Sequence, residues 1–260
     1  MSARTGRRLA WPDRPLGPGQ PSAWPGPVRP SAWPGPAVRL ARPGRPPGPV
    51  VSGGCHTARM TAPDPKADLL RYLQEARDAL LWKLDGLSEY DIRRPLTPTG
   101  TNLLGLVKHA AGVELGYFGD TFGRPFFAEN PPPWWYTQDA DPNADMWATP
   151  DESREDIAGL YRRAWEHADG TIGALPLDAT GQVPWWPQER REATLHHLLV
   201  RVIADTSRHA GHADIVRELI DGSVGLTPGK DSMPPGDRAM WEAHRHRLEE
   251  AARAADRSGQ

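Results

Sequence analysis

The stretch Leu195-His196-His197-Leu198-Leu199-Val200-Arg201-Val202-Ile203-Ala204-Asp205-Thr206-Ser207-Arg208-His209-Ala210-Gly211-His212-Ala213-Asp214-Ile215-Val216-Arg217-Glu218-Leu219 decides the fold class of this chain. It contains no proline, and Asp221-Gly222 follows it as a helix stop, so a helix over about 192–221 is expected. With core positions spaced alternately three and four apart, its inward seam reads Leu195, Leu198, Val202, Asp205, His209, His212, Val216, Leu219. Apolar residues hold both ends and Asp-His-His holds the middle. At about 100° per residue, His209 and His212 lie about 60° apart and point the same way. Polar groups at core positions forfeit roughly 1.5–3 kcal/mol of burial per side chain, and every ring nitrogen then needs a partner. Three such positions in succession imply a compensating gain.

Working outward, the same periodicity recurs upstream. Leu69, Leu70, Leu73, Ala76, Leu80, Leu81 and Leu84 predict a first helix over about 65–87. A polar link, 88–100, leads to a second helix over about 101–120, capped by Thr101 or Asn102 and striped with Leu103, Leu106, Ala110, Val113 and Tyr117. A long connection over 121–150 is rich in proline and aromatics. Pro150-Asp151-Glu152 is expected to open a third helix over about 150–174, with acids where the helix dipole favours them. A loop with Trp185-Trp186-Pro187 precedes the fourth helix, and a shorter helix over about 236–255 closes the chain. No strand pattern stands out. The expected fold is an all-α four-helix bundle in which the long crossover lets helices two and three run parallel. That crossover suits either a lid or pocket wall, or a plug for one end of the core.

Of the 260 residues, 1–59 differ in kind from the rest. They hold 13 of the 29 Pro, 9 of the 26 Gly, nine Arg and a single acid, Asp13, and they repeat Pro-Ser-Ala-Trp-Pro-Gly-Pro at 21–27 and 30–36. This composition is that of a disordered extension, and Met60-Thr61-Ala62-Pro63 reads as a second start. The expected division is thus 1–59 and 60–260. The net charge of 1–59 is 9 − 1 = +8; residues 60–260 carry 31 − 9 = 22 basic and 33 − 1 = 32 acidic groups, hence −10. An acidic domain argues against nucleic acid as partner. No apolar run reaches 18 residues, which argues against a membrane span, and a cytoplasmic setting is expected. Cys55 is the only cysteine, so neither a disulfide framework nor a cysteine zinc site is available within one chain.

A divalent metal is the simplest gain for the polar seam, since neutral imidazoles are common ligands of first-row metals. His209 and His212 supply two ligands, and His109, at the flank of the second helix's apolar stripe, supplies a third. Three histidines leave an open coordination position, the mark of a catalytic rather than structural metal. Asp205, one turn before His209, would orient a histidine or ligate directly. Glu114 lies about 140° around its helix from His109 and points elsewhere. His167, His196, His197, His244 and His246 read as surface residues. The competing readings are a structural metal with four protein ligands, and a buried hydrogen-bond network without metal. There is no Gly-rich phosphate loop and no G-x-S-x-G elbow.

Leu106-Val107-Lys108-His109, Gly112-Val113-Glu114, Pro133-Trp134-Trp135, Asp145-Met146-Trp147-Ala148-Thr149-Pro150 and Arg208-His209-Ala210-Gly211-His212-Ala213-Asp214 resemble the DinB-like metalloprotein superfamily, and most closely its mycothiol S-transferase branch. The resemblance spans about 65–250. It implies a DinB-like bundle, a ligand from helix two and a pair from helix four often spaced i, i+4, and zinc or another divalent metal. Here an i, i+4 partner of His212 would be Arg208, so His209 stands in at i+3. The implied activity is transfer of a low-molecular-weight thiol, with mycothiol as cosubstrate, to a small-molecule electrophile in detoxification, with a homodimer as the implied assembly. The alternative within the resemblance is a non-catalytic metal-binding stress-response or structural bundle protein.

Overall fold

A computed structural model describes residues 64–258, apart from 138 and 232. The division at Met60 and the extension 1–59 lie outside the described residues. Helix α1, Pro65–Leu81, starts where Asp64 accepts a hydrogen bond from the Lys66 N–H at 3.0 Å, with Pro65 at the position that needs no donor. A 3₁₀ turn, Trp82–Leu84, extends it. Inside the link expected to be irregular lies a short helix, α2, Glu89–Arg93, capped by Ser88. Helix α3, Leu103–Glu114, is capped by Asn102 and runs on through a π turn, Leu115–Gly119, and a 3₁₀ turn, Asp120–Phe122. The crossover carries one 3₁₀ turn, Trp134–Tyr136.

Helix α4, Arg154–Ala174, opens at Ser153 rather than Pro150; Glu155 and Asp156 fill its first turn. Two three-residue strands, β1 (Thr180–Gln182) and β2 (Glu192–Thr194), form an antiparallel ribbon with Thr180 opposite Thr194. They are too short for alternation to show in the sequence. Thr194 then caps helix α5, Leu195–Asp221, which ends at Gly222 in the left-handed conformation, φ +80°. Helix α6 is Arg238–Ser258.

The fold is the expected all-α bundle, and its side-chain bonds give its directions. Lys66 Nζ reaches the carbonyl of Leu175 at 2.7 Å, and Arg154 at the other end of α4 reaches Leu87, so α1 and α4 are antiparallel. Lys108 meets Glu152 near the start of α4, and Gly119 lies against His167 near its end, so α3 and α4 run parallel. Helix α5 runs with α1, since Arg217 bonds the carbonyls of Lys83 and Asp85.

The buried face of α5 corrects the seam read from the sequence. It consists of Leu195, Leu198, Leu199, Val202, Thr206, Ala210, Ala213, Val216 and Arg217, whereas Leu219 is 64% exposed. Alternating steps of three and four average 3.5 residues per turn, and a straight helix drifts about 20° per heptad from that register. Over this length the true contact face passes through small residues, Thr206, Ala210 and Ala213. Asp205, His209 and His212 therefore lie at the partly buried flank of the helix.

Helix α3 is buried on every side, including Lys108, His109 and Glu114. Arg77 of α1 grips Glu114 with two hydrogen bonds, 2.9 and 2.6 Å, and also reaches Asp169 of α4 at 2.9 Å. Burial pushes the Glu114 carboxyl up against the pull of Arg77. Breaking a buried pair from one side strands a charge, at a cost of about 3–5 kcal/mol. Arg77→Met is expected to lose about that much stability in urea unfolding, and Arg77→Met combined with Glu114→Gln to recover a large part of it.

Candidate metal centre

His109 reaches the centre from α3 and is 6% exposed. Its Nδ1 lies 2.7 Å from Asp145 Oδ2, at the hydrogen-bond distance of a ring N–H to a carboxylate. With Asp145 as acceptor, Nδ1 keeps its proton, and Nε2, the nitrogen a metal would bind in place of a proton, faces α5. Asp145 belongs to the crossover, and three residues of α3 and its cap pin the crossover there. Asn102 Nδ2 donates to the Met146 carbonyl at 3.0 Å, and Lys108 Nζ donates to the Trp147 carbonyl at 2.9 Å. Between them Gly105 lets the chains touch: a Cβ there would stand 1.9 Å from the Met146 oxygen. Glu152 completes the clamp by receiving Lys108 at 2.8 Å and the Thr149 N–H at 2.8 Å.

Helix α5 supplies the facing groups. Asp205 and His209 are one turn apart and share a face. Asp205 Oδ2 stands 3.8 Å from His109 Nε2 and 3.7 Å from His209 Nε2. The ring centres of His109 and His209 are 4.7 Å apart. Among the described residues, His109, Asp205 and His209 form the group whose ligand atoms lie within 4.8 Å of one another. His212 comes next in the row, with its ring 5.4 Å from that of His209, and stands outside this group.

Titration behaviour reflects the crowding. Burial lowers the His109 pKa, but the Asp145 hydrogen bond and the Asp205 carboxylate outweigh it and lift the group to about 9. Burial lowers His209 as well, and the charge on His109 takes it down to about 4. Asp205 is raised by burial but drawn below its ordinary value overall by His109 and His209. At neutral pH His109 is then an imidazolium and His209 a neutral imidazole, so two carboxylates face one positive charge.

The residues fit a divalent cation. Asp205 Oδ2 is buried and accepts no hydrogen bond, because both imidazole nitrogens beside it are too distant. Ligands bound at about 2.0–2.2 Å stand about 3.3–3.6 Å apart across a tetrahedral angle; the two Asp205–imidazole separations, 3.7 and 3.8 Å, come within a few tenths of an ångström of that, and the three ligand atoms together lie within 4.8 Å. A charge of +2 also matches two carboxylates better than one proton does. The Asp205 side chain is 38% exposed, so the cluster opens to solvent on that side.

The other histidines are elsewhere. His167 Nε2 lies 2.7 Å from the Arg124 carbonyl and packs on Phe126, so it anchors the start of the crossover. His196, His197 and His246 are exposed, and His244 packs on Trp241. Cys55 lies outside the described residues. Sequence periodicity did not reveal Asp145, because a crossover residue has no helical register. The Asp205-x-x-x-His209 spacing was present in the sequence, and it is this pair that has the i, i+4 spacing.

No helix among the described residues is long and apolar enough to cross a membrane. No curated protein matches the chain. A family model described as Mycothiol-S-transferase matches residues 68–222, a span that holds the whole cluster, the crossover and helices α3 to α5. That match covers more than half of the 260 residues, and with the bundle and cluster described above it places the chain in the mycothiol S-transferase family, within the DinB-like group.

Proposed function

We propose that this chain is a divalent-metal-dependent S-transferase that joins a low-molecular-weight thiol, mycothiol or a thiol like it, to an electrophile. One observation carries the reading: a buried carboxylate oxygen, Asp205 Oδ2, accepts no hydrogen bond and stands 3.7 and 3.8 Å from two imidazole Nε2 atoms, on a side chain open to solvent. The ligand set we favour is His109, Asp205 and His209. His212 is the alternative third ligand, completing the three-histidine set with His109 and His209. Zinc is the metal we propose, since it takes nitrogen and carboxylate ligands and keeps a catalytic position free.

A bound divalent cation would hold a thiol in its ionised, nucleophilic form at neutral pH. The chain's own residues do the rest. Asp145 fixes the tautomer and orientation of His109, and the Asn102, Gly105 and Lys108 clamp holds Asp145 in place. Trp135 and Tyr136 of the crossover pack over Gly112 of α3, three residues beyond His109, and these rings are the apolar contacts we assign to the electrophile. Cys55, the only cysteine, lies outside the family match, so the thiol comes from a cosubstrate. The setting we propose is the cytoplasm, in detoxification, with the chain alone or as a homodimer. A non-catalytic metal-binding role would instead require a fourth protein ligand closing the exposed side.

Metal content separates the two ligand sets. Purified Asp205→Ala is expected to lose bound metal and His212→Ala to retain it; the reverse result favours the three-histidine set. Chelation is expected to lower the melting temperature of the unmodified protein, and an unchanged melting curve would sink the reading.

The Asp145–His109 bond gives a second expectation. Partners of this kind typically contribute 10–100-fold in metal affinity. Asp145→Asn should weaken metal binding by about that factor in competition with a chromophoric chelator, while the metal-free protein keeps its helical circular dichroism.

A further inference from the structure

Along α5, His197, Arg201, Asp205 and His209 recur every four residues as a strip that winds slowly round the helix, and all four stand outside its buried face. Asp205 and His209 belong to the metal cluster. Arg201 sits one turn before Asp205, about 6 Å along the axis.

The Arg201 side chain is posed rather than loose. Its Nε donates to the Tyr117 hydroxyl at 2.8 Å. Its guanidinium lies over the rings of Trp186 and Tyr117, 5.1 and 5.5 Å from their centres. Tyr117 is itself buried and wedged edge-on against Trp185 and Trp186. Stacking of this kind fixes the plane of a guanidinium. The two terminal Nη groups are left without a hydrogen bond or ion pair among the described residues, and the residue is exposed. Arg77, Arg154 and Arg217 have carboxylate partners, whereas Arg201 keeps its terminal donors for solvent although the domain carries a surplus of acids.

Aromatic rings gather near both groups: Trp185 and Trp186 on Tyr117 beside Arg201, and Trp135 and Tyr136 on Gly112, three residues beyond His109. Gly116 lies in the π turn that follows α3, seven residues beyond His109, and a Cβ at that position would stand 2.7 Å from the Trp185 ring and 3.5 Å from the Tyr136 hydroxyl. The glycine lets these rings settle onto the helix. A flat apolar body laid there would have the metal cluster at one end and the free edge of a guanidinium at the other.

We propose that Arg201 is a substrate-binding residue: it receives a carboxylate, or an oxyanion of similar shape, on a flat apolar reactant whose reacting atom lies at the His109–Asp205–His209 cluster. The inference rests on the transferase reading above and names its substrate class. The guanidinium offers a planar pair of donors to the anion, and the aromatic wall carries the body. The span between the two ends, about 6 to 10 Å from the helical rise and the length of the arginine side chain, is that of a para-substituted benzene ring. The anion is carried either by the thiol or by the electrophile.

The test uses the full chain loaded with zinc and two matched pairs of reactants: 4-mercaptobenzoate against benzenethiol, and 4-(bromomethyl)benzoate against benzyl bromide. Benzoate alone serves as a binding probe. Arg201→Gln is expected to weaken benzoate binding in calorimetry at least tenfold. It should also raise KM at least tenfold for the carboxylated member of one pair, with its neutral counterpart within twofold and kcat little changed. Arg201→Lys should restore part of the loss. The pair that responds tells which reactant brings the anion. Equal benzoate affinity in Arg201→Gln and the unmodified protein overturns the proposal, as does a loss that falls equally on charged and neutral members. The transferase reading is read separately: benzenethiol binding that survives removal of zinc would count against it, while the benzoate comparison, repeated on metal-free protein, still decides the role of Arg201.

Discussion

Helix α3 is surrounded by protein, and it carries three ionisable side chains that burial forbids from standing alone. At about 100° per residue, Lys108, His109 and Glu114 point in three directions roughly 100–140° apart. Each therefore addresses a different neighbour. Glu114 requires Arg77 of α1, which also takes Asp169 of α4. Lys108 requires Glu152 and the crossover carbonyl of Trp147. His109 requires Asp145 on one side and opens toward α5 on the other. The satisfaction of one helix thus fixes the positions of every element around it. An apolar α3 of the same shape would pack as well, but it would set neither the register of the crossover nor the position of Asp145.

This explains what was legible in the sequence. The helices of the bundle, the crossover and the parallel course of α3 and α4 follow from periodicity and loop length. His109 and the α5 histidines stand out because polar groups interrupt an apolar pattern. The seam itself was misplaced, since Thr206, Ala210 and Ala213 carry little hydrophobic signal although they form the contact. The i, i+4 pair is Asp205 and His209, and a search for paired histidines passes over it. Asp145, Lys108 and Arg201 were illegible as partners, because their roles depend on which residues the crossover and the β1–β2 loop bring to them. Local pattern does not encode such meetings.

The electrostatics of the centre and of the clamp differ in kind. Arg77 with Glu114, and Lys108 with Glu152, are pairs of opposite charge with several hydrogen bonds each, closed off from water on at least one side. The cluster is different. Asp145 and Asp205 approach two imidazoles, and the single proton that His109 holds up to a pKa of about 9 leaves one negative charge uncompensated. A structural network would be expected to satisfy Asp205 Oδ2, as the bundle satisfies Glu114. Instead that oxygen is buried and accepts no hydrogen bond, while its carboxylate is open to solvent on the other side. The two clamps thus satisfy their charges, whereas this cluster is left short of a cation.

The same contrast extends to Arg201. Arg77, Arg154 and Arg217 each spend their donors on carboxylates or carbonyls that tie elements together. Arg201 spends one donor on Tyr117 and keeps the others free beside the deficit at Asp205. A cluster short of a cation and an arginine short of an anion, one helical turn apart, do not neutralise each other, since the Tyr117 hydrogen bond and the Trp186 ring hold the guanidinium beyond ion-pair reach of Asp205. Two complementary needs kept separate by rigid aromatic packing define a site for a bound pair of charges, a cation at one end and the anionic group of a reactant at the other, with the apolar body of that reactant across the rings between them.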